Sequence, residues 1–201
     1  MKLHRLAAPA IALTLTAILA ACGSDDTTSV NSTPAIQAPG GSAATVELNA
    51  ADIKFAQGMI AHHQQAIEMA EIALKPNIGA RPEVVDLATR IKGAQDPEVE
   101  LMTGWLTAAG EAIVIDSSGG HEMSSIDGMM TAKQMETMAA MTGAEFDQMW
   151  LEMMIAHHEG AISQSKTVKV DGSNADVLAL ADQIITAQQA EITEMQALLR
   201  V

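Results

Sequence analysis

From Asn49 onward the hydrophobic pattern of the chain reads as helix. At 100° per residue, Phe55, Met59, Ile60, Ala66, Ile67, Met69 and Ala70 share one broad apolar arc, with Lys54, Gln57, Gln64, Gln65 and Glu68 opposite. His62 and His63 fall inside the apolar arc. The pattern recurs about ninety-five residues later, where Trp150 to Ser165 (WLEMMIAHHEGAISQS) repeats Phe55 to Ala70 (FAQGMIAHHQQAIEMA). A second repeat follows each first one. Ala94-Gln95, Glu98-Val99, Met102 and Leu106 match Ala187-Gln188, Glu191-Ile192, Met195 and Leu199 at the same spacing. The chain therefore predicts a duplicated helical hairpin, each half a His-His helix followed by an Ala-Gln helix. Two such hairpins bury their apolar faces best against one another, which gives an all-α four-helix bundle with approximate two-fold symmetry. Strand signals are lacking: alternating runs are short, Tyr is absent and Phe scarce.

Local signals bound the elements. Asn49 with Asp52 at N3 opens the first helix, which ends before Lys75-Pro76-Asn77-Ile78-Gly79. Pro82 opens the second, expected to reach about Ala109 with a kink at Gly93 and Pro97. Thr131 with Gln134 predicts a capping box for a short helix to about Met141, and Thr142 with Glu145 another for the third long helix. The halves are thus 48–110 and 142–201, joined by a long methionine-rich connection.

The N-terminal residues read differently. Lys2 and Arg5 precede an apolar stretch from Leu6 to Leu19 that is short for a membrane span, followed by small residues at Ala20 and Ala21. Residues 1–21 are expected to be a signal peptide. Leu19-Ala20-Ala21-Cys22-Gly23 is similar to the lipobox of bacterial lipoproteins, with Cys22 as the lipidated residue. Cys22 is the only cysteine, so the mature domain has no disulfide. Residues 22–47, rich in Ser, Thr, Asp, Gly and Pro, are expected to form a flexible tether between membrane and domain. The net charge of −14 argues against nucleic acid as a partner and favours cations.

The candidate chemistry is metal coordination. Met59 lies one turn before His62 and His63, and Asp52 two turns before Met59 on the same side. Met154, His157, His158 and Asp147 repeat the set. Most of the fourteen methionines lie in the connection and the start of the third long helix. In the connection, Met123, Met129 and Met130 stand beside glycines and His121 and are read as auxiliary metal contacts. Thioether and imidazole without thiolate suit copper, Cu(I) above all, with silver as its mimic. Zinc would use the histidines but leave the methionines unexplained. The competing reading is that the histidines are ordinary core residues bonded to carboxylates or carbonyls. No Glu-x-x-His, Gly-x-Ser-x-Gly, His-Glu-x-x-His or phosphate-loop pattern occurs, so no familiar enzyme is signalled.

On the doubled MIAHH, Gly128-Met129-Met130 and the Ala-Gln…Glu…Met pattern, the sequence resembles the bacterial family called domain of unknown function 305, from about Leu48 to Leu199. The resemblance implies a ferritin-like bundle exported from the cytoplasm, some of whose relatives bind copper and contribute to copper resistance. It carries over Asp52, Met59, His62, His63 and Met69 in the first half and Asp147, Met154, His157 and His158 in the second. Where the family's second half often has Met, this chain has Gln164. The expectation is a lipid-anchored copper-binding protein, acting by coordination for sequestration, resistance or transfer, with a copper exporter or another envelope copper protein as partner. The alternatives are a helical interaction module with structural histidines and a copper-dependent oxidase.

Overall fold

The computed structural model describes residues 46–113 and 127–200; the signal sequence, Cys22, most of the tether, His121 and Met123 lie outside the described residues. Five helices follow in order: α1 (Ala50–Ala73), α2 (Pro82–Ala109), α3 (Ala132–Ala139), α4 (Gly143–Asp171) and α5 (Ala175–Leu198). The described residues include no strand. α2 packs on α1, α5 on α4, and α1 on α4, so the duplicated hairpin is the architecture.

The caps explain most boundaries. Asn49 and Asp52 form a reciprocal capping box at α1, and Thr131 and Gln134 form one at α3. Thr142 does not do so at α4. It makes no side-chain cap bond to the helix. Instead the Gly143 N–H, at the first position of the helix, donates 2.8 Å to the Ile78 carbonyl in the loop after α1, and Gly143 adopts φ +58°, so a tertiary contact satisfies one of the free donors at this end. α2 runs unbroken through Gly93 and Pro97, because packing along its length on α1 outweighs the roughly 3 kcal/mol that an interior proline costs.

The core comes in two apolar parts. One gathers Ala66, Met69, Leu87, Ile91, Phe146, Trp150, Met154, Ile192 and Met195; the other gathers Phe55, Met59, Ile60, Met102, Leu106, Ala161, Leu180 and Ile184. Between them, in sequence and along every long helix, lie the histidine pairs of α1 and α4, Gln95 of α2 and Gln188 of α5, all buried. The bundle therefore has a polar layer at mid-height.

α1 and α4 run antiparallel. Asn49 Nδ2 donates 2.9 Å to the Asp171 carbonyl at one end, and Trp150 Nε1 donates 3.0 Å to the Met69 carbonyl toward the other. Two crossed clasps join the halves. The fully buried Asp52 carboxylate of α1 accepts from the backbone N–H groups of Asn49 (2.9 Å), Ser173 (3.1 Å) and Asn174 (3.1 Å) and from Ser173 Oγ (3.2 Å). It thus anchors the start of α5. Asp147 of α4 accepts from the Arg81 N–H at 3.3 Å to each oxygen and anchors the start of α2, whose N-cap has no side-chain bond of its own. Arg81 continues to the Leu198 carbonyl at the end of α5, 2.7 Å away. A negative charge at each helix N-terminus complements the helix dipole as well as the free donors.

Asp52→Asn keeps the shape of the first clasp but removes its charge and points an amide at donors. It is expected to lower unfolding free energy by about 1–3 kcal/mol, read from the midpoint in urea; an unchanged midpoint would mean that the clasp contributes nothing.

Candidate metal centre

The antiparallel crossing of α1 and α4 decides where each histidine goes. Neighbouring residues of a helix point 100° apart, so the two members of a pair leave in different directions. His62 and His157 face each other across the crossing, with ring centroids 3.8 Å apart and planes tilted by 44°. His63 turns to α2, where its Nε2 lies 2.7 Å from Glu98 Oε2; His158 turns to α5, where its Nε2 lies 2.8 Å from Glu191 Oε2. All four rings are fully buried, while the two glutamates keep partial contact with solvent.

These bonds fix proton positions. A carboxylate can only accept, so Nε2 of His63 and of His158 donates, which turns Nδ1 of each ring toward the layer. Neither Nδ1 has a partner, and neither nitrogen of His62 or His157 has one. Six imidazole nitrogens are therefore buried unpaired in one layer, as are the amide oxygens of Gln95 and Gln188. Each orphan of this kind costs about 1–3 kcal/mol, so the layer stores polar capacity that the apo fold does not use.

The electrostatics keep the central pair neutral. Burial, then His63 and His158, push the His62 pKa from 6.5 down to about 3; the Asp127 backbone acts weakly the other way without making a well-formed hydrogen bond. Burial and the three other imidazoles hold His157 well below 6.5. A neutral imidazole with a free lone pair is the form that binds a metal.

The structure sorts the other expected ligands. Met59 and Met154 are buried one turn before their histidine pairs, on the flanks of the layer. Met69 is buried two turns beyond His62. Asp52 and Asp147 do not join the histidines. Ten residues of helix separate each from its pair, about 15 Å along the axis, and each is occupied by the donors of a clasp. Met129 and Met130 are half-buried against the outside of α1 and α4 rather than in the layer. As they stand, no three His, Cys, Asp or Glu side chains among the described residues are disposed around a common point.

Glu98, Glu191, Gln95 and Gln188 belong to this layer and were not expected as site residues. Their signal is the second repeat, where the same Gln and Glu spacing occurs in both halves; it was read as architecture alone.

Fold and site together define a class: an all-helical protein of two pseudo-symmetric hairpins, with unpaired imidazoles and thioethers sealed at the crossing. The chain belongs to the family described as Domain of unknown function (DUF305), whose model matches residues 52–199. A DUF305 protein from Streptomyces coelicolor, described as secreted, is similar at 29% identity and TM-score 0.67, covering 75% of this chain and 91% of that one. A DUF305 fragment from Deinococcus radiodurans is similar at 25% identity and TM-score 0.67, covering 76% and 98%. CopM in its Cu(I)-bound form is similar at 27% identity and TM-score 0.60, covering 74% and 95%; CopM structures also include Cu(II)-bound and silver-bound forms. No curated protein sequence matches.

A pH dependence follows for the metal-free protein. The unfolded chain takes up protons at His62 and His157 near pH 6.5, whereas the folded chain resists until about pH 3 at His62 and well below 6.5 at His157. Unfolding then binds protons, so stability is fullest above pH 6.5 and falls as pH drops toward 3. The expected slope between about pH 6.5 and about pH 5 is roughly 1–3 kcal/mol per pH unit, measured by urea unfolding. The variant His62→Leu with His157→Leu should lose most of it.

Proposed function

We propose that the protein coordinates copper, Cu(I) in preference and silver by mimicry, within the histidine layer, and serves sequestration, resistance or transfer of that ion outside the cytoplasm. One observation carries the reading: six imidazole nitrogens buried without partners where α1 and α4 cross. The donor set fits. His62 and His157 each offer one lone-pair nitrogen, His63 and His158 offer Nδ1 with Glu98 and Glu191 bonded to Nε2 behind them, and Met59 and Met154 add thioethers of the softness Cu(I) prefers. The similarity to copper- and silver-bound CopM supports the same metals. Asp52 and Asp147 act as anchors in this reading. Met69, Met129 and Met130, with His121 and Met123 of the connection, are auxiliary contacts on the way to the layer.

The role in this reading is coordination without turnover, with the Glu98 and Glu191 carboxylates each engaged by a histidine. Extracytoplasmic placement is supported by the likeness to a DUF305 protein described as secreted. Lipid attachment at Cys22 would keep the bundle beside a membrane partner such as a copper exporter. No helix of the described residues is long and apolar enough to cross a membrane.

An anaerobic Cu(I) competition titration, paired with thermal unfolding, tests the reading. His62→Leu with His157→Leu should cut Cu(I) affinity at least about a hundredfold and abolish stabilisation by the metal. The same change leaves apo stability equal or higher by about 1–2 kcal/mol, because it removes orphaned polar atoms at similar volume. Glu98→Ala with Glu191→Ala should weaken binding by about 10–100-fold. If the leucine variant loses apo stability and the wild type gains nothing from metal, the histidines are structural and the reading fails.

A further inference from the structure

The donors of the histidine layer are fully buried, so an ion can reach them only through a part of the fold that moves. α2 and α5 cover the layer where Glu98 and Glu191 hold His63 and His158. Across the seam between α1 and α4 the cover is a short stretch of chain that touches α4 at Gly160 and α1 at Gln65. It consists of four residues of the connection, Asp127–Met130.

This strap lies on bare backbone. A side chain on Gly128 would meet the Ala156 carbonyl at 2.7 Å and the His157 carbonyl at 3.0 Å, and one on Gly160 would strike the Asp127 carbonyl. Gly128 also adopts φ +83°, which other residues rarely take. The strap thus rests directly on the turn of α4 that carries His157, without interlocking side chains. It then crosses to α1, where one side chain holds it: Gln65 Oε1 accepts from the Met130 N–H at 2.7 Å, and Gln65 Nε2 donates to the Met130 carbonyl at 2.8 Å. Gln65 stands one turn after His62. Open grooves flank the strap. One, of about 280 Å³, is lined by Phe55, Gly58, Asp127, Gln164 and Thr167. The other, of about 950 Å³, lies between α1 and α3 and is lined by Gln65, Glu68, Glu71, Met129, Met130 and Met135. It offers carboxylates and thioethers beside the latch.

We propose that the Asp127–Met130 strap is the entry gate of the histidine layer, latched by Gln65 and lifted to admit a soft monovalent cation from the groove beside α3. The gate rests on the coordination reading for its purpose, but its movement can be measured without metal. Lifting costs one two-bond latch, a glycine contact and the partial packing of Met130 on the core, still far less than separating the helices, so opening is local.

The test uses the full chain with Gln65→Leu, which removes both latch bonds, and Gln64→Leu, at an exposed neighbouring position of α1, as a control. In the metal-free protein, carbethoxylation by diethyl pyrocarbonate, followed peptide by peptide by mass spectrometry, should be about tenfold faster at His62 and His157 in Gln65→Leu and unchanged in the control. With Ag(I), loading and release rates should both rise about tenfold, while the equilibrium affinity stays within about threefold. Gly160→Ala, which pushes the strap off α4 from the other side, should act in the same direction. Equal carbethoxylation rates in folded wild type and both strap variants would overturn the gate, whether or not silver binds. A wild type that takes up no metal, with faster carbethoxylation in the variants, would leave the gate standing and remove the coordination reading instead.

Discussion

The face-to-face burial of His62 and His157 is the constraint around which this bundle is arranged. Two neutral rings 3.8 Å apart, with no hydrogen bond to either, occupy the place where a bundle of this kind would ordinarily bury leucine. The fold tolerates them because both flanks are densely apolar, with Phe146, Trp150 and Met69 on one side and Phe55, Met59 and Leu106 on the other. It also restrains their neighbours, His63 and His158, through the glutamates of α2 and α5. Burying these unpaired rings costs stability at this layer, and the clasps at the bundle ends help to hold the crossing in place.

Much of this was legible in the sequence, for local reasons. Helix periodicity, the Asn49–Asp52 and Thr131–Gln134 capping boxes, and both repeats depend on residues within a few turns of one another, so the hairpins and their pairing could be read directly. What escaped depended on partners far away in the chain. Asp52 reads equally well as a ligand or a dipole partner until Ser173 and Asn174 arrive from the other half. The start of α4 likewise draws on a distant partner, the Ile78 carbonyl that accepts from the Gly143 N–H, while Thr142 makes no side-chain cap bond.

The division of labour inside each His-His pair was hidden more subtly. Adjacent positions on one helix look equivalent in a sequence pattern, and only the crossing of α1 with α4 sends His62 inward and His63 to Glu98. The glutamates were visible as part of a repeat, but a repeat alone does not say whether its residues are shared for packing or for chemistry. Their placement shows what they hold: each accepts from Nε2 of the buried imidazole beside it, which turns the opposite ring nitrogen toward the layer.

The crossed clasps have a consequence of their own. Asp52 of the first hairpin holds the second helix of the other, and Asp147 does the reverse, which is the pattern of an isologous interface between two identical subunits. This chain carries such an interface inside one molecule. In a true dimer every path to the central rings would occur twice, related by the dyad. Fusing the copies supplies a single connecting segment, and a single segment can close one route without having to close its mirror partner.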